Sequence, residues 1–313
     1  MSTTHDQPVH DNARFTMDDA SDVGRLYLVF VNLYFVGARG EPWVLVDSGL
    51  PHAAGRVMQH AAARYGPKSR PEAIILTHGH FDHAGNALEL ARAWSVPVYA
   101  HPLEHPYLTD QSDYPPSDPT VGGALGLMSR AFPSSRQDLG DRLHPLPSDG
   151  SVPGAPGWRW LHTPGHTAGH VSLFRDADRF LIAGDALATV NQDSPLSMLN
   201  LRDELSVPPA PLTTDWEAGR TSVEQLAALR PRSVAAGHGR PVQGERIADD
   251  LAHFSATFAP PRGGRYSARP AITNEHGLVS VPPPVADALP AKLLVGGLMA
   301  GAAYLALLRG RDE

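Results

Sequence analysis

The chain has 313 residues, of which 42% are hydrophobic and 19% charged, and 26 Lys and Arg against 33 Asp and Glu give a net charge of −7. This composition excludes a globally disordered chain, and the lack of a basic excess argues against a nucleic-acid partner. Because the chain contains no cysteine, disulfides, thiolate nucleophiles, zinc fingers and iron–sulfur clusters are excluded as well.

The N-terminal segment carries no targeting pattern. The first 20 residues are polar and acidic, without a basic start followed by an apolar run. A secretory signal peptide has both of these features. We therefore expect residues 1–20 to form a flexible arm and the protein to be cytoplasmic.

Strand and helix patterns alternate from residue 21 to residue 259. β-Branched and aromatic residues predict strands over residues 25–36 and 43–46, with a hairpin loop at 37–42. Further strands are predicted over 73–76, 96–100, 158–162, 170–174, 180–183 and 233–236, and helices over 51–65, 84–94, 215–229 and 244–258. The alternation predicts an α/β or α+β domain of mixed sheets.

A Pro-rich insertion interrupts this domain at residues 101–156. It holds ten prolines, and only residues 121–132 within it have a helical pattern. Loop-rich insertions of this length in a compact domain are commonly functional. We expect a cap whose apolar side chains form one wall of a substrate pocket.

Residues 260–313 form a Pro-rich extension that ends in the apolar segment 293–308. A helix of this length spans ~24 Å, which is less than the ~30 Å hydrocarbon core of a bilayer. Its surface must be covered by this domain, by a second protomer or by lipid. Gly297 and Gly301 favour close packing on protein, so we expect a homodimer contact, with peripheral membrane association as the alternative.

Four potential metal ligands follow the predicted strand 73–76. They are His78, His80, Asp82 and His83, in the run HGHFDH. Imidazole and carboxylate are ligands that zinc, iron and manganese accept. Four of them on one strand-to-helix loop predict a metal site.

Three further candidates each follow a predicted strand beside a glycine: His166, Asp185 and His238. A single Gly-His or Gly-Asp pair is weak evidence. Together with the four residues above, they make seven ligands, five His and two Asp. That number suits two metals with a shared carboxylate and an open position for water.

The order HxHxDH, TPGHTxGH, GD and GHG resembles the motifs of the metallo-β-lactamase-fold hydrolases, and especially their glyoxalase II and N-acyl-homoserine-lactone lactonase branch. Asp47, in the run VDSG, is similar to the first motif of that superfamily. The resemblance covers residues 25–258. It implies an αββα sandwich, in which helices flank two mixed β-sheets and the metals lie at one edge.

The same resemblance implies how the ligands are divided between two metal ions. One ion has His78, His80 and His166, the second has Asp82, His83 and His238, and Asp185 bridges the two. Asp47 would orient a ligand histidine, and Asp82 would return a proton to the leaving group. Zinc is the expected metal, with iron or manganese as alternatives.

Two divalent ions lower the pKa of a bridging water, so that hydroxide forms at neutral pH. We therefore expect a hydrolase that acts on a small carboxylic ester, lactone or thioester. A phosphodiesterase and a mononuclear iron persulfide dioxygenase on the same fold are the alternatives. Lactonases carry a Tyr near the bridging Asp that residues 186–190 lack, and Tyr107 and Tyr114 in the cap are candidates to replace it.

Overall fold

The computed structural model describes residues 22–133, 135, 137–194, 196–197 and 203–287. The predicted arm 1–20 and the apolar segment 293–308 lie outside these residues, so the dimer or membrane contact of that segment stays a prediction. The chain divides into two compact units, Met1–Pro282 and Pro283–Glu313. In the described part of the chain, no helix is long and apolar enough to cross a membrane.

The first sheet holds six strands in the order β1 to β6. They are β1 (Val23–Leu28), β2 (Val31–Val36), β3 (Val44–Val46), β4 (Ile74–Ile75), β5 (Val98–Ala100) and β6 (Leu143–Pro145). Strands β1 to β3 pair antiparallel, whereas β3 to β6 pair parallel. The predicted strand 25–36 is therefore two strands, joined by a turn in which Val29 has a φ of +61°.

The second sheet holds five strands in the order β11-β10-β9-β8-β7. They are β7 (Trp158–His162), β8 (Val171–Arg175), β9 (Phe180–Gly184), β10 (Ser233–Ala236) and β11 (Val242–Gln243). Only β9 and β10 pair parallel, so both sheets are mixed, as predicted. A separate hairpin of β12 (Ile272–Asn274) and β13 (Gly277–Ser280) follows the second sheet.

The α-helices of the described residues are α1 (Ala54–Tyr65), α2 (Phe81–Ala84), α3 (Ala87–Trp94), α4 (His105–Leu108), α5 (Gly123–Met128), α6 (Trp216–Ala228) and α7 (Ile247–Thr257). The predicted helix 84–94 corresponds to α3, and the shorter α2 precedes it. Two of the predicted ligands, Asp82 and His83, lie within α2.

Alternation along the strands divides the apolar core into three layers. On β2, Leu33 and Phe35 face a cluster that includes Val57 and Leu90 of α1 and α3. Tyr34 lies on the opposite face of β2, in the cluster between the two sheets. A third cluster packs the outer face of the second sheet against α6 and α7. The order of layers is helix, sheet, sheet, helix, which confirms the predicted αββα sandwich.

The C-terminal hairpin is tied to the cap. The Tyr266 hydroxyl donates to the Pro116 carbonyl over 2.8 Å, and the Leu278 amide donates to the Ser112 hydroxyl over 3.0 Å. Tyr266 is itself buried in the core beneath α6 and α7. Residues that follow α7 therefore hold the Pro-rich insertion in place.

Candidate metal centre

The predicted ligands lie at one edge of the sandwich, five on loops and two in the short helix α2. His78 and His80 follow β4, Asp185 follows β9, His238 follows β10, His166 lies between β7 and β8, and Asp82 and His83 lie in α2. Neighbouring parallel strands end at the same edge of a sheet. Since β3 pairs parallel with β4, and β9 with β10, the loops after them meet.

The structure brings all seven predicted ligands together, and all seven are buried. Their ligand atoms form three groups, each within 4.8 Å: His78, His80 and His166; His78, His83 and Asp185; and Asp82, His83 and His238. We call the first of these the first ligand group and the last the second ligand group. Asp185 lies between them, because its Oδ2 is 3.5 Å from His166 Nε2 and 3.1 Å from His238 Nε2.

In His83 and His238, a hydrogen bond made by Nδ1 on the side away from the cluster determines which ring nitrogen faces the cluster. His83 donates from Nδ1 to Asp47 Oδ2 over 2.8 Å, and His238 donates from Nδ1 to the Phe30 carbonyl over 2.8 Å. Each ring then presents its Nε2 to the cluster. This is how neutral histidines are held as metal ligands.

Three buried polar atoms of the cluster indicate whether its residues suit a metal ion. His78 Nε2, His83 Nε2 and Asp185 Oδ1 are buried and have no hydrogen-bond partner among the described residues. A buried polar atom without a hydrogen-bond partner lowers the stability of the folded protein. Imidazole nitrogens and a carboxylate oxygen that converge in this way form a donor set that suits a divalent metal ion.

The first ligand group consists of neutral imidazoles. Burial is the main cause that lowers the pKa of His80 to about 3, and burial also holds the pKa of His78 and His166 well below the ordinary value. His80 Nδ1 and His166 Nε2 lie 3.0 Å apart. Two neutral ring nitrogens at this separation are arranged to share a cation.

Nearby carboxylates govern the pKa values of the two histidines in the second ligand group. Burial alone would lower the pKa of His83 and His238, but Asp185 and the neighbouring carboxylates outweigh it and raise both values. Asp185 responds in the opposite sense. Burial opposes its ionisation, but His238 and His83 hold its pKa well below the ordinary value.

This difference predicts an unequal release of protons when zinc binds. Neighbouring carboxylates raise the pKa of His83 and His238, so these rings hold a proton more strongly than ordinary histidines and must lose any proton at Nε2 to become ligands. His78, His80 and His166 are already neutral. We expect calorimetric titration at pH 7, in buffers of different ionisation enthalpy, to show proton release mainly at the binding step that His238→Ala removes. Equal release at both steps would contradict this assignment.

The carboxylate of Asp47 binds both the backbone that follows β4 and the ligand histidine His83. It has a φ of +61°, a left-handed conformation that Asp tolerates better than most residues. Its carboxylate accepts from the Thr77 amide over 2.8 Å and from His83 Nδ1 over 2.8 Å. The structure therefore places Asp47 where it can orient His83.

A hydrogen bond fixes the backbone of Asp185, and a neighbouring glycine leaves room for its carboxylate. The Asp185 amide donates to His170 Nε2 over 2.8 Å, and His170 donates from Nδ1 to the Thr163 carbonyl over 3.1 Å. A Cβ at Gly237 would lie 2.1 Å from Asp185 Oδ1 and 2.6 Å from His83 Cε1. The first glycine of the GHG motif is therefore needed for space.

The two candidate tyrosines are engaged within the cap. The Tyr114 hydroxyl accepts from the Gly79 amide over 2.9 Å and donates to Glu104. Its ring packs 4.6 Å from that of His80, and the ring of Tyr107 is stacked on it at 4.0 Å. Both rings thus join the cap to the first ligand group.

Comparison with known proteins decides the family. The family model described as the metallo-β-lactamase superfamily matches residues 26–238. The chain belongs to the metallo-β-lactamase superfamily. It is a metal-dependent hydrolase, and the predicted resemblance is confirmed.

Relatives of this hydrolase agree with that assignment. The probable metallo-hydrolase YflN of Bacillus subtilis is 43% identical over 239 residues, which are 75% of this chain and 90% of the relative. A hydroxyacylglutathione hydrolase of Erwinia tasmaniensis is 33% identical over 118 residues, which are 38% of this chain and 34% of the relative. A solved B3 metallo-β-lactamase with an active-site glutamic acid is similar in fold, with a TM-score of 0.52, 20% identity, and coverage of 76% of this chain and 85% of that chain.

Two features of this hydrolase were not identified from the sequence. The first is Glu104, a buried carboxylate at the start of the cap, which belongs to no recognised motif. The second is the composition of an apolar cavity beside Asp82 and His238. Its apolar lining is Phe30, Phe81, Leu125, Phe132, Pro209 and Leu212.

Proposed function

We propose that this hydrolase uses two divalent metal ions to cleave a carboxylic ester, lactone or thioester. The observation that carries the proposal is the position of Asp185. Its Oδ2 lies 3.5 Å from His166 Nε2 in the first ligand group, and 3.1 Å from His238 Nε2 in the second. A carboxylate shared by two groups of ligands is suited to bridging two ions.

The number of ligands supports two ions rather than one. Seven buried residues supply ligand atoms, and they form a group of three on each side of Asp185. A mononuclear iron dioxygenase would need only one ligand group and would leave the other unexplained.

Bound ions would supply an activated water as the nucleophile and would polarise the carbonyl of the substrate. Asp82 is placed to move a proton, because it belongs to the second ligand group and also borders the apolar cavity. Burial raises the pKa of its carboxyl, which favours proton exchange closer to neutral pH. We assign to Asp82 the return of a proton to the leaving group.

The cavity beside Asp82 and His238 has a volume of only about 20 Å³, and its apolar lining supports a substrate with a small apolar acyl group. Leu125 and Phe132 of the cap face it together with Phe30 from the β1–β2 turn. Its described lining contains neither Lys nor Arg, the side chains that usually pair with a phosphate. The cavity therefore favours a carboxylic substrate over a phosphodiester.

A substrate panel with metal exchange tests the function. We expect the zinc-loaded protein to hydrolyse members of an aryl ester, lactone and thioester panel, to lose this activity after dialysis against a chelator, and to regain it with zinc. The same preparation should leave a nitrophenyl phosphodiester unchanged. Turnover that survives metal removal, or a preference for the phosphodiester, would overturn the proposal.

The cavity gives a second prediction, for acyl-chain preference. Leu125→Ser places a hydroxyl in the apolar lining, so kcat/KM for a butyryl ester should fall about tenfold relative to that for an acetyl ester. The matched control is Leu127→Ser on the same helix, where the side chain is 56% exposed, and it should change neither value. A uniform loss over acetyl, butyryl and hexanoyl nitrophenyl esters would argue against an acyl pocket.

A further inference from the structure

Glu104 connects the two loops that carry the first ligand group. Its Oε2 accepts from the Gly79 amide over 2.9 Å and from the Tyr114 hydroxyl. Its Oε1 accepts from the Thr167 hydroxyl over 2.7 Å and from the Gly169 amide over 2.9 Å. The side chain is fully buried, and each of its oxygens bonds to a different loop.

Two of the four partners of Glu104 are immediate sequence neighbours of the three ligands in the first group. Gly79 lies between His78 and His80, and Thr167 follows His166 directly. One carboxylate therefore fixes the backbone of both loops at the points where the first ligand group projects. The distance between the loops, and with it the convergence of the three imidazoles, depends on these four hydrogen bonds.

The second ligand group is held by different residues. His83 is oriented by Asp47 and His238 by the carbonyl of Phe30. None of the hydrogen bonds described for Glu104 reaches Asp82, His83 or His238. The two groups thus have separate supports, one from the cap and one from the edge of the first sheet.

The two glycines beside the ligands leave room for this arrangement. A Cβ at Gly169 would lie 2.7 Å from Glu104 Oε1 and 2.8 Å from Glu104 N. A Cβ at Gly79 would lie 2.4 Å from the Tyr114 hydroxyl. Both glycines are required by the approach of the cap, in addition to any approach of a metal.

We propose that Glu104 is a positioning residue by which the cap sets the metal affinity of the first ligand group, leaving that of the second unchanged. The inference rests on the ligand set proposed above. Four donors converge on a buried carboxylate, and a group that cannot accept from all of them leaves buried donors unpaired and the loops free to separate. Loss of such an outer partner typically reduces metal affinity 10- to 100-fold.

Glu104→Gln tests the proposal with little change in side-chain size. The amide has one oxygen, so it can accept on the Gly79 side or on the Gly169 side, but not on both. We expect a roughly 10- to 100-fold weaker zinc affinity at the first ligand group and an unchanged affinity at the second. Glu245→Gln, at an exposed carboxylate, is the matched control and should alter neither.

The measurement is a zinc titration of the metal-free protein with ¹⁵N-labelled histidine, in the presence of a competing chelator. Ring-nitrogen signals of His80 and His166 report the first ligand group, and that of His238 reports the second. Glu104→Gln should shift only the transitions of His80 and His166 to higher zinc concentration. Equal weakening of both groups, or of neither, would overturn the proposal, whereas a parent protein that binds zinc at only one group would instead overturn the dinuclear function.

Thr167→Val is a second variant for the same zinc titration, for use if Glu104→Gln does not fold. It removes one of the four hydrogen bonds and leaves the carboxylate and its remaining partners in place. The expected result is a smaller loss of affinity, again confined to the first ligand group. An unchanged affinity in Thr167→Val would contradict the role of the bridge between the loops.

Discussion

Asp185→Asn should lower kcat by at least about 1,000-fold, which corresponds to about 4 kcal/mol of transition-state stabilisation, while the protein still folds. The carboxylate is ionised at neutral pH, because His238 and His83 hold its pKa well below the ordinary value. Its Oδ2 lies within 3.5 Å of a ring nitrogen in each ligand group. An amide keeps the shape but removes the charge that both ions would share.

The measurement is kcat on any substrate confirmed by the panel, with a circular-dichroism melt as the check on folding. Asp176→Asn is the matched control, because Asp176 is an exposed carboxylate paired with Arg159 over 2.8 Å. This variant should keep parental turnover. Near-parental kcat in Asp185→Asn would contradict a bridging role, whatever the identity of the metal.

His78→Ala should abolish metal-dependent turnover and remove at least one metal ion per chain. His78 belongs both to the first ligand group and to the group that contains Asp185. Its Nε2 is buried without a hydrogen-bond partner among the described residues, so the ring faces the cluster without any other polar contact there. Alanine leaves an incomplete coordination sphere at the place where the two groups meet.

Elemental analysis and kcat would be measured on the same preparation after expression with added zinc. His276→Ala is the control, since its side chain is 82% exposed, and it should bind as much metal as the parent. Parental metal content and turnover in His78→Ala would show that the cluster is not the site of the chemistry.

The layers of this fold are predictable because they follow from local patterns. The β-branched and aromatic residues of β2 and β3 and the amphipathic spacing of α1 each identify an element from a few consecutive residues. The break at Val29 is different, since residues 25–36 contain no Gly, Pro or Asp to indicate a turn. The three-residue strand β6 ends in a proline, Pro145, and pairs with β5, so its sequence gives little strand signal.

The ligands were identified for a similar reason. His78, His80, Asp82 and His83 stand in one short run, so residue type and spacing carry the signal. The other three each follow a predicted strand beside a glycine, and the resemblance to a known superfamily supports the full set. Glu104 has no such signal. Its function depends on backbone amides of Gly79 and Gly169. Every residue except proline has such an amide, so no residue type marks these partners in the sequence.

The apolar cavity could be predicted from the sequence only in part. The expectation that the cap would supply apolar lining agrees with the positions of Leu125 and Phe132, whereas Phe30 comes from the unpredicted turn between β1 and β2. The cap also has a supporting role that its sequence did not indicate. Tyr114 bonds to Glu104, and Asp118 accepts from the Thr120 amide over 3.0 Å, so point substitutions are a cleaner probe of specificity than removal of residues 112–119.

The number of metal ions bound by the full-length protein tests the central claim most directly. The protein would be stripped with a chelator, titrated with zinc, desalted and analysed for zinc and protein on the same sample. Two zinc ions per chain in the parent, falling to one in His238→Ala, is the result that two ligand groups and a shared Asp185 predict. A parent that retains one zinc ion or none, with all seven ligands intact, would contradict it.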